Sequence, residues 1–239
     1  LLMNISEAVA THARLTPNKM GARDSRRGLS YQQWHKRATR LANGLRGLGL
    51  EKGDKVALLA YNCVEWMEIY AALARAGLVA VPINFRLTSS EIEYIAQHSD
   101  ALAFIVQDEL IDRVAPIKGQ LKISQKTFIG FGDNVPSDWT SYESLISSAP
   151  EYIQSTEVLP TDMSALMYTS GTTGKPKGAI RSHEGSTMIA LATALELGFT
   201  SKDTSLLVMP MCHANSLYFS HTFTQVGATC IIDDRKSFD

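Results

Sequence analysis

The sequence predicts an α/β fold in which layered, mostly parallel sheets carry flanking helices. Eight short apolar runs, rich in β-branched residues, have the length of strands. Stretches of helical length separate several of these runs, and parallel strands need such long crossover connections. The alternation therefore indicates a parallel sheet. The predicted strands occupy residues 55–60, 79–83, 101–106, 127–131, 164–169, 179–181, 205–209 and 228–232.

Three segments between the strands carry clear helix signals. Residues 31–48 and 63–76 have helical length and periodicity. Thr88, followed by Glu91 three residues later, has the spacing of a capping box that opens a helix at residues 92–98. By contrast, residues 132–162 are rich in Pro, Ser, Thr and acidic side chains, so they predict a polar connection that holds one short helix.

Composition bounds the class of protein. A chain of 239 residues with 45% hydrophobic content can bury a core of one large domain or two small ones. The formal net charge of −1 gives no global field that would attract nucleic acid or an anionic membrane. Three widely spaced cysteines predict a reducing, cytoplasmic setting without a disulfide framework. We find no secretion signal and no run of about 18 apolar residues.

The segment at residues 168–178 has the composition of an anion-binding loop. It reads Tyr-Thr-Ser-Gly-Thr-Thr-Gly-Lys-Pro-Lys-Gly and directly follows a predicted strand. Its glycines can bring backbone N–H groups close to phosphate oxygens, its hydroxyl groups add donors and Mg²⁺ ligands, and its lysines add positive charge. Ligands of open α/β sheets bind beyond the carboxyl ends of strands. The loop is therefore predicted to hold a triphosphate.

Two other interpretations of this segment are less favourable. Glycine, serine and lysine also compose solvated surface loops, but those loops need not follow a buried strand directly. The P-loop of nucleotide hydrolases needs Gly-Lys-Ser/Thr at the start of a helix, whereas Gly174 and Lys175 are followed by Pro176. Residues 178–182 have the pattern of a strand, so no helix N-terminus is predicted beneath the phosphates. The favoured geometry is strand, loop and strand.

These residues resemble the phosphate-binding loop of the AMP-forming adenylating enzymes, a family of acyl-CoA synthetases, peptide-synthetase adenylation domains and firefly luciferase. A second segment, Met-Pro-Met-Cys-His at residues 209–213, resembles the family's Pro-Met/Leu-Phe-His motif, with Cys212 in place of the usual aromatic residue. Weaker similarity covers residues 29–31, 53–57 and 77–84 in family order. The resemblance predicts that residues 1–239 are a truncated N-terminal portion of the AMP-binding domain, without the C-terminal domain.

The resemblance implies a reaction in two steps. A carboxylate attacks the α-phosphate of ATP and gives an acyl-adenylate and pyrophosphate, and the thiol of coenzyme A then accepts the acyl group. Because the first step brings negative groups together, positioning and charge stabilisation by donors and Mg²⁺ become the main tasks of the protein. The implied partners are ATP, Mg²⁺, coenzyme A and a small carboxylic acid.

Carried over position by position, the resemblance assigns roles to individual residues. Lys177 would supply the main positive charge to the β- and γ-phosphates and would act in catalysis together with Thr173, which would also bind Mg²⁺. The implied phosphate-binding set is Thr169, Ser170, Gly171, Thr172, Thr173, Gly174 and Lys177. His213 would lie near the acyl and adenylate groups. Asn215 and Tyr218 would line the same pocket, although one face of an ordinary amphipathic helix explains both equally well.

A zinc site near the second segment is disfavoured. Adjacent Cys212 and His213 would point apart on an extended strand, and no short ligand pair accompanies them. His183, which follows a predicted strand, is expected to begin a helix rather than to act in catalysis.

The resemblance also implies later elements that these residues do not supply. They are an acidic residue that helps bind Mg²⁺, an aspartate that holds the ribose and a lysine on a mobile C-terminal domain. We therefore expect residues 1–239 alone to turn over nothing. The predicted activity is that of a fatty-acid or related acyl-CoA ligase. Loading of a carrier protein and non-catalytic nucleotide binding stay open as alternatives, and the chain is a candidate for a homodimer.

Overall fold

The computed structural model describes residues 4–152, 156–169 and 175–235. The helices are α1 (Ile5–Leu15), α2 (Tyr31–Gly47), α3 (Glu65–Ala76), α4 (Ser89–His98), α5 (Ile111–Val114), α6 (Tyr142–Ser148), α7 (His183–Leu197) and α8 (Ala214–Gln225). The strands are β1 (Met20–Arg23), β2 (Gly28–Ser30), β3 (Lys55–Leu59), β4 (Val79–Pro82), β5 (Ala101–Gln107), β6 (Phe128–Phe131), β7 (Thr140–Ser141), β8 (Met163–Thr169), β9 (Lys177–Ser182), β10 (Thr204–Leu207) and β11 (Thr229–Ile232).

Two sheets organise the described part of the chain. The larger sheet has the strand order β7-β6-β5-β3-β4-β8-β9, and the smaller has the order β10-β11-β1-β2. Neighbours in the larger sheet are parallel except for β8 and β9, which form an antiparallel pair at one edge. In the smaller sheet only β1 and β2 are antiparallel. The predicted α/β class with mostly parallel sheets is confirmed.

Local sequence explains where the main helices begin. Ser30 caps α2 in a reciprocal capping box with Gln33. The predicted box at Thr88 is present, because the Thr88 backbone N–H donates to the Glu91 carboxylate over 2.8 Å. It opens α4 at Ser89, a full turn earlier than the predicted start.

Three short strands are additional to the predicted set. They are β1, β2 and β7, and none is longer than four residues. Such short runs cannot display a clear alternation of apolar and polar residues. β2 and β7 pair with the strands just before them, whereas β1 also pairs with the distant β11, as in the parallel pairing of Ala22 with Cys230. The smaller sheet therefore depends in part on long-range contacts. As predicted, the polar connection contains one short helix, α6.

The larger sheet is covered on both sides, as a mostly parallel sheet requires. On one side, alternate residues of the central strands pack in a core cluster with α2, α3 and residues of the smaller sheet. On the other side, the intervening residues pack with α4, α5 and the segment that follows α5. Consecutive residues of β8 therefore face different layers of the protein. Ala165 and Met167 face the first core cluster, whereas Leu166 and Tyr168 face the second.

No helix in the described ranges combines the length and the apolar character that crossing a membrane would need. The three cysteines, Cys63, Cys212 and Cys230, are buried free thiols.

Candidate functional site

The β8–β9 hairpin brackets the predicted phosphate loop. Its last two cross-strand pairs join Tyr168 to Gly178 and Thr169 to Lys177. The predicted arrangement of strand, loop and strand is therefore present, and β9 occupies the position at which a hydrolase P-loop would need a helix. Five residues with a predicted role in phosphate binding lie outside the described residues: Ser170, Gly171, Thr172, Thr173 and Gly174.

Thr169 and Lys177 occupy directly opposed positions at the open end of the hairpin. Opposed residues of an antiparallel pair project from the same face, with Cβ atoms roughly 5 Å apart. Both side chains are exposed. Within the described ranges no ion pair involves Lys177, so its ammonium group is available to an anionic ligand. A hydroxyl and an ammonium group thus stand side by side at the start and the end of the loop.

The face of the hairpin that carries these two groups faces the same core layer as the second segment. Side chains alternate along β8, so Thr169 lies on the same side as the buried residues Ala165 and Met167. Those two residues belong to the core cluster that also contains Met211 and Cys212. The hairpin and the residues before His213 therefore pack around one layer of the protein.

Gly178 has a different structural role from the predicted one. It lies inside β9 and is absent from the glycines with positive φ among the described residues. A Cβ atom at this position would approach Leu166 Cδ1 to 2.8 Å and Tyr168 Cζ to 3.3 Å. Glycine is therefore needed for packing against the neighbouring strand, whereas a close backbone approach to phosphate was expected.

The second segment is a turn, and this corrects the predicted extended strand. β10 already ends at Leu207, and the His213 backbone N–H donates to the Pro210 carbonyl oxygen over 2.9 Å. Pro210 has no N–H, so it could not have extended the ladder. The argument against a zinc site from opposed side chains on a strand therefore does not hold. Separately, no cluster of metal-binding side chains occurs within the described ranges.

Three side chains hold the backbone of this turn, two of them from distant parts of the sequence. Asn62 Oδ1 accepts a hydrogen bond from the Met211 N–H over 2.7 Å, and Asn62 Nδ2 donates to the Met209 carbonyl over 3.1 Å. The Tyr70 hydroxyl donates to the Met211 carbonyl over 3.1 Å, and Ser216 Oγ donates to the Met209 carbonyl over 2.7 Å. The turn therefore has a defined shape. None of these supports was predicted, because no spacing in the sequence links residue 62 to residue 211.

His213 directly precedes α8 and occupies its N-cap position, and its side chain is exposed. Tyr218 is half-buried, lines a groove between α7 and α8, and contacts the Thr193 hydroxyl. Asn215 lines a different groove beside β10. The shared role of Asn215 and Tyr218 in one acid pocket stays a prediction.

Cys212 behaves as an apolar group at the position where the resemblance leads one to expect an aromatic residue. Burial raises the pKa of its thiol to about 11, although backbone hydrogen bonds near Phe85 oppose the shift. The thiol is therefore protonated at neutral pH, and a thiolate nucleophile at this position is disfavoured. His183 begins α7 as predicted, with Ser182 as its N-cap.

Comparisons with known proteins agree with this geometry. The sequence model of the AMP-binding enzyme family matches residues 9–239. A long-chain-fatty-acid–CoA ligase of Thermus thermophilus is 34% identical over 85% of this chain and 37% of its own length. A fatty acid–[acyl-carrier-protein] ligase, ScoC, of Streptomyces coeruleorubidus is 28% identical over 96% of this chain and 43% of its own length.

A solved structure shows the same fold. The anthranilate CoA ligase AuaEII, in complex with anthranoyl-AMP, superposes with a TM-score of 0.90 and 25% identity. The match covers 97% of this chain and 45% of that chain. The chain thus spans less than half the length of each of these proteins.

Proposed function

Because the chain belongs to the family of AMP-binding enzymes, we propose that the protein activates a carboxylic acid with ATP and transfers the acyl group to coenzyme A. In the first step a carboxylate oxygen bonds to the α-phosphorus, the bond from that phosphorus to the bridging oxygen breaks, and pyrophosphate leaves. In the second step the sulfur of coenzyme A bonds to the acyl carbon, the thiol proton is released and AMP leaves. The protein is on this proposal an acid–thiol ligase.

The observation that carries the proposal is the opposed pair at the end of the hairpin. Thr169 and Lys177 are exposed, face the same side and flank the loop on both ends. Lys177 has no carboxylate partner among the described residues. A cation in this position, next to a loop rich in glycine and hydroxyl groups, suits the β- and γ-phosphates of ATP, because a triphosphate offers several oxygens to such donors.

The remaining phosphate contacts are proposed from the sequence. Ser170, Gly171, Thr172, Thr173 and Gly174 complete the loop, and the Thr173 hydroxyl is proposed to bind the Mg²⁺ that enters with ATP. Lys177 and Thr173 are the residues proposed to act in the adenylation step. Their contribution is charge stabilisation and alignment of the α-phosphate, since the attacking and leaving oxygens are both negative.

The acid is proposed to bind on the side where the turn meets the hairpin. His213 is placed next to the acyl and adenylate groups, with Asn215 and Tyr218 further along α8. The names of the similar proteins refer to fatty acids and to anthranilate, so we propose an aliphatic or aryl carboxylic acid, with a fatty acid first. The setting is proposed to be the cytoplasm, and a homodimer is the proposed assembly.

The decisive experiment measures carboxylate-dependent exchange of labelled pyrophosphate into ATP by the whole enzyme. Lys177→Ala is expected to lower kcat/KM for ATP by roughly 10²-fold, the effect of removing one preorganised charge-stabilising group. Lys202→Ala is the matched control, because Lys202 is an exposed lysine in the turn before β10. Wild-type ATP use by Lys177→Ala would remove Lys177 from its role.

A second acceptor is favoured by one comparison, since ScoC is named as a ligase for acyl-carrier protein. The two acceptors differ in the second step only. AMP release in the presence of acid and ATP should rise with coenzyme A if the protein is a CoA ligase, and with a phosphopantetheinylated carrier protein if it loads a carrier. Absence of any pyrophosphate exchange by the whole protein would instead favour non-catalytic nucleotide binding.

We propose further that residues 1–239 alone have no turnover. The resemblance places the Mg²⁺-binding acid, the ribose-binding aspartate and the mobile lysine in segments that these residues do not include. Exchange by this segment clearly above background would contradict that statement without affecting the proposed chemistry of the whole protein.

A further inference from the structure

Helix α4 reaches the phosphate loop through a cluster of three rings, Tyr94, His98 and Tyr168, which we call the α4 ring cluster. The rings of Tyr94 and His98 lie 5.3 Å apart, as expected for residues four apart on a helix. The His98 ring meets the Tyr168 ring edge-on at 5.7 Å. Tyr94 and Tyr168 both pack against the core cluster on the α4 side of the large sheet. Helix α4 carries none of the predicted site residues. The cluster connects it to the end of β8, next to the predicted phosphate loop.

The cluster contacts the chain on both sides of the undescribed residues 170–174. Before them, His98 Nδ1 lies 2.7 Å from the Tyr168 hydroxyl. After them, the Tyr94 hydroxyl donates to the Pro176 carbonyl over 3.4 Å, and Lys175 Nζ lies 5.7 Å above the Tyr94 ring. One helix thus holds the entry to the loop through one side chain and the exit through another.

The contacts lie on the opposite face of the hairpin from the proposed phosphate ligands. Tyr168 and Gly178 form one cross-strand pair and face α4, whereas Thr169 and Lys177 form the next pair and face the other side. The ring cluster therefore supports the loop from behind. Burial, with the neighbouring Tyr94 and Asp100, raises the pKa of the Tyr168 hydroxyl to about 12, so this group keeps its proton for the hydrogen bond to His98.

We propose that Tyr94 and His98 are positioning residues: by holding Tyr168 and Pro176, they keep the adjacent Thr169 and Lys177 in the arrangement that binds the triphosphate of ATP. They do so without touching the nucleotide. Donors whose backbone is already fixed lose less conformational freedom when phosphate binds, and this raises affinity without adding a contact. The inference rests on the proposed function, because it concerns the same loop.

The test compares KM for ATP with kcat in the whole enzyme, again by pyrophosphate exchange. His98→Phe and Tyr94→Leu are each expected to raise KM for ATP roughly five- to tenfold with a smaller change in kcat, the effect of losing one hydrogen bond or ring contact that holds the loop. His98→Asn keeps a polar atom near the position of Nδ1 and is expected to restore most of the affinity. Gln97→Ala is the matched control, because Gln97 lies next to His98 but bonds to Glu93 and to the Gln120 carbonyl.

A double variant separates a shared role from two independent ones. His98→Phe with Tyr168→Phe should raise KM for ATP no more than the larger single change, because both substitutions remove the same hydrogen bond. Thermal unfolding midpoints and KM for the acid are measured for all variants. A general loss of folding would lower the midpoint and raise KM for the acid as much as KM for ATP.

The outcomes distinguish this inference from the proposed function. Unchanged KM for ATP in His98→Phe and Tyr94→Leu, with a large loss in Lys177→Ala, overturns the positioning role and leaves the function intact. A fall in kcat at constant KM for ATP in these two variants also overturns the positioning role. So does a failure of His98→Asn to restore the affinity for ATP. Wild-type ATP use by Lys177→Ala instead counts against the proposed function itself.

Discussion

The side-chain amide of Asn62 holds the backbone of Met211, with Oδ1 accepting from the Met211 N–H over 2.7 Å. The same amide donates through Nδ2 to the Met209 carbonyl and, over 3.0 Å, to the Asp233 carbonyl. Asn62 follows β3 of the large sheet, whereas Asp233 follows β11 of the small sheet. One side chain thus ties both sheets to the turn that presents His213.

Replacing Asn62 with alanine should loosen this turn. The substitution removes the Asn62 bonds to the Met211 N–H and to the Met209 and Asp233 carbonyls, of which the Met209 carbonyl keeps the Ser216 hydroxyl. Water can replace only part of the loss because Asn62 is half-buried. We expect a stability loss of about 1–3 kcal/mol and a higher KM for the carboxylic acid. Asn84→Ala is the control, since the Asn84 side chain accepts from the Arg86 N–H in another loop. Equal acid KM in both variants would contradict a link between the turn and the acid site.

Gly178→Ala should displace the hairpin that flanks the loop. The added Cβ would meet Leu166 Cδ1 at 2.8 Å, closer than real side chains pack, and Leu166 and Tyr168 would have to move. We expect about 1–3 kcal/mol of destabilisation, within the usual range for an overpacked site, and weaker ATP binding. Gly119→Ala provides the comparison, because nothing lies within 4 Å of its Cβ position. Similar unfolding midpoints for the two variants would show that the hairpin accommodates the methyl group.

The parallel strands and their helices were predictable because their signals are local. β3, β4 and β5 are continuous buried runs, and helices of predictable periodicity connect them, so burial and connection length identify the sheet together. β1 and β2 give no such signal. They pair with each other locally, but β1 joins the sheet through β11, about 200 residues away along the chain, and a pattern within a few residues cannot record that contact.

The candidate site divides in the same way. The composition of the loop assigned Thr169 and Lys177 to one predicted site. Their cross-strand pairing was not predicted, because the second strand was expected to begin only at residue 179. The supports at Asn62 and His98 were not predicted, because each acts on a residue 70 or more positions away. Lone polar residues of this kind are common, and nothing in their spacing distinguishes a support from a solvated side chain.

Glu68→Gln should be the most damaging of the polar changes outside the site. The Glu68 carboxylate is fully buried, accepts from Arg27 and Tyr142 over 3.0 Å each, and also pairs with Arg37. A neutral amide would remove the buried counter-ion of both arginines and leave Arg27 with Glu65 and Arg37 with Glu143. We expect the free energy of unfolding to fall by about 2–4 kcal/mol. This is slightly below the range for fully buried pairs, because both arginines keep partial contact with solvent.

Glu143→Gln is the matched control for this change, because Glu143 also pairs with Arg37 but its side chain is 62% exposed. An exposed pair contributes about 0–1 kcal/mol, so the urea midpoint of this variant should stay near that of the unmodified protein. If the two variants unfold at the same urea concentration, the buried network does not carry the stability assigned to it.

The stability of the chain should fall as the pH drops below about 6.5, and His221 should carry a measurable part of that fall. Burial, followed by the nearby His183, lowers the pKa of His221 to about 4. The unfolded chain therefore binds a proton near pH 6.5 that the folded chain resists until about pH 4, so the free energy of unfolding decreases as the pH falls through this window. Burial lowers the pKa of His183 as well, which adds a change of the same sign.

His221→Gln should reduce the slope of unfolding free energy against pH by about 1.4 kcal/mol per pH unit in the middle of the window, the equivalent of one proton. Glutamine can keep a polar contact to Thr187 and Gln225, which lie 3.4 and 3.0 Å from His221 Nε2. Urea unfolding at half-unit steps between pH 4.5 and pH 7.5 measures the slopes. A slope in His221→Gln equal to that of the unmodified chain would mean that His221 protonates alike in the folded and unfolded states.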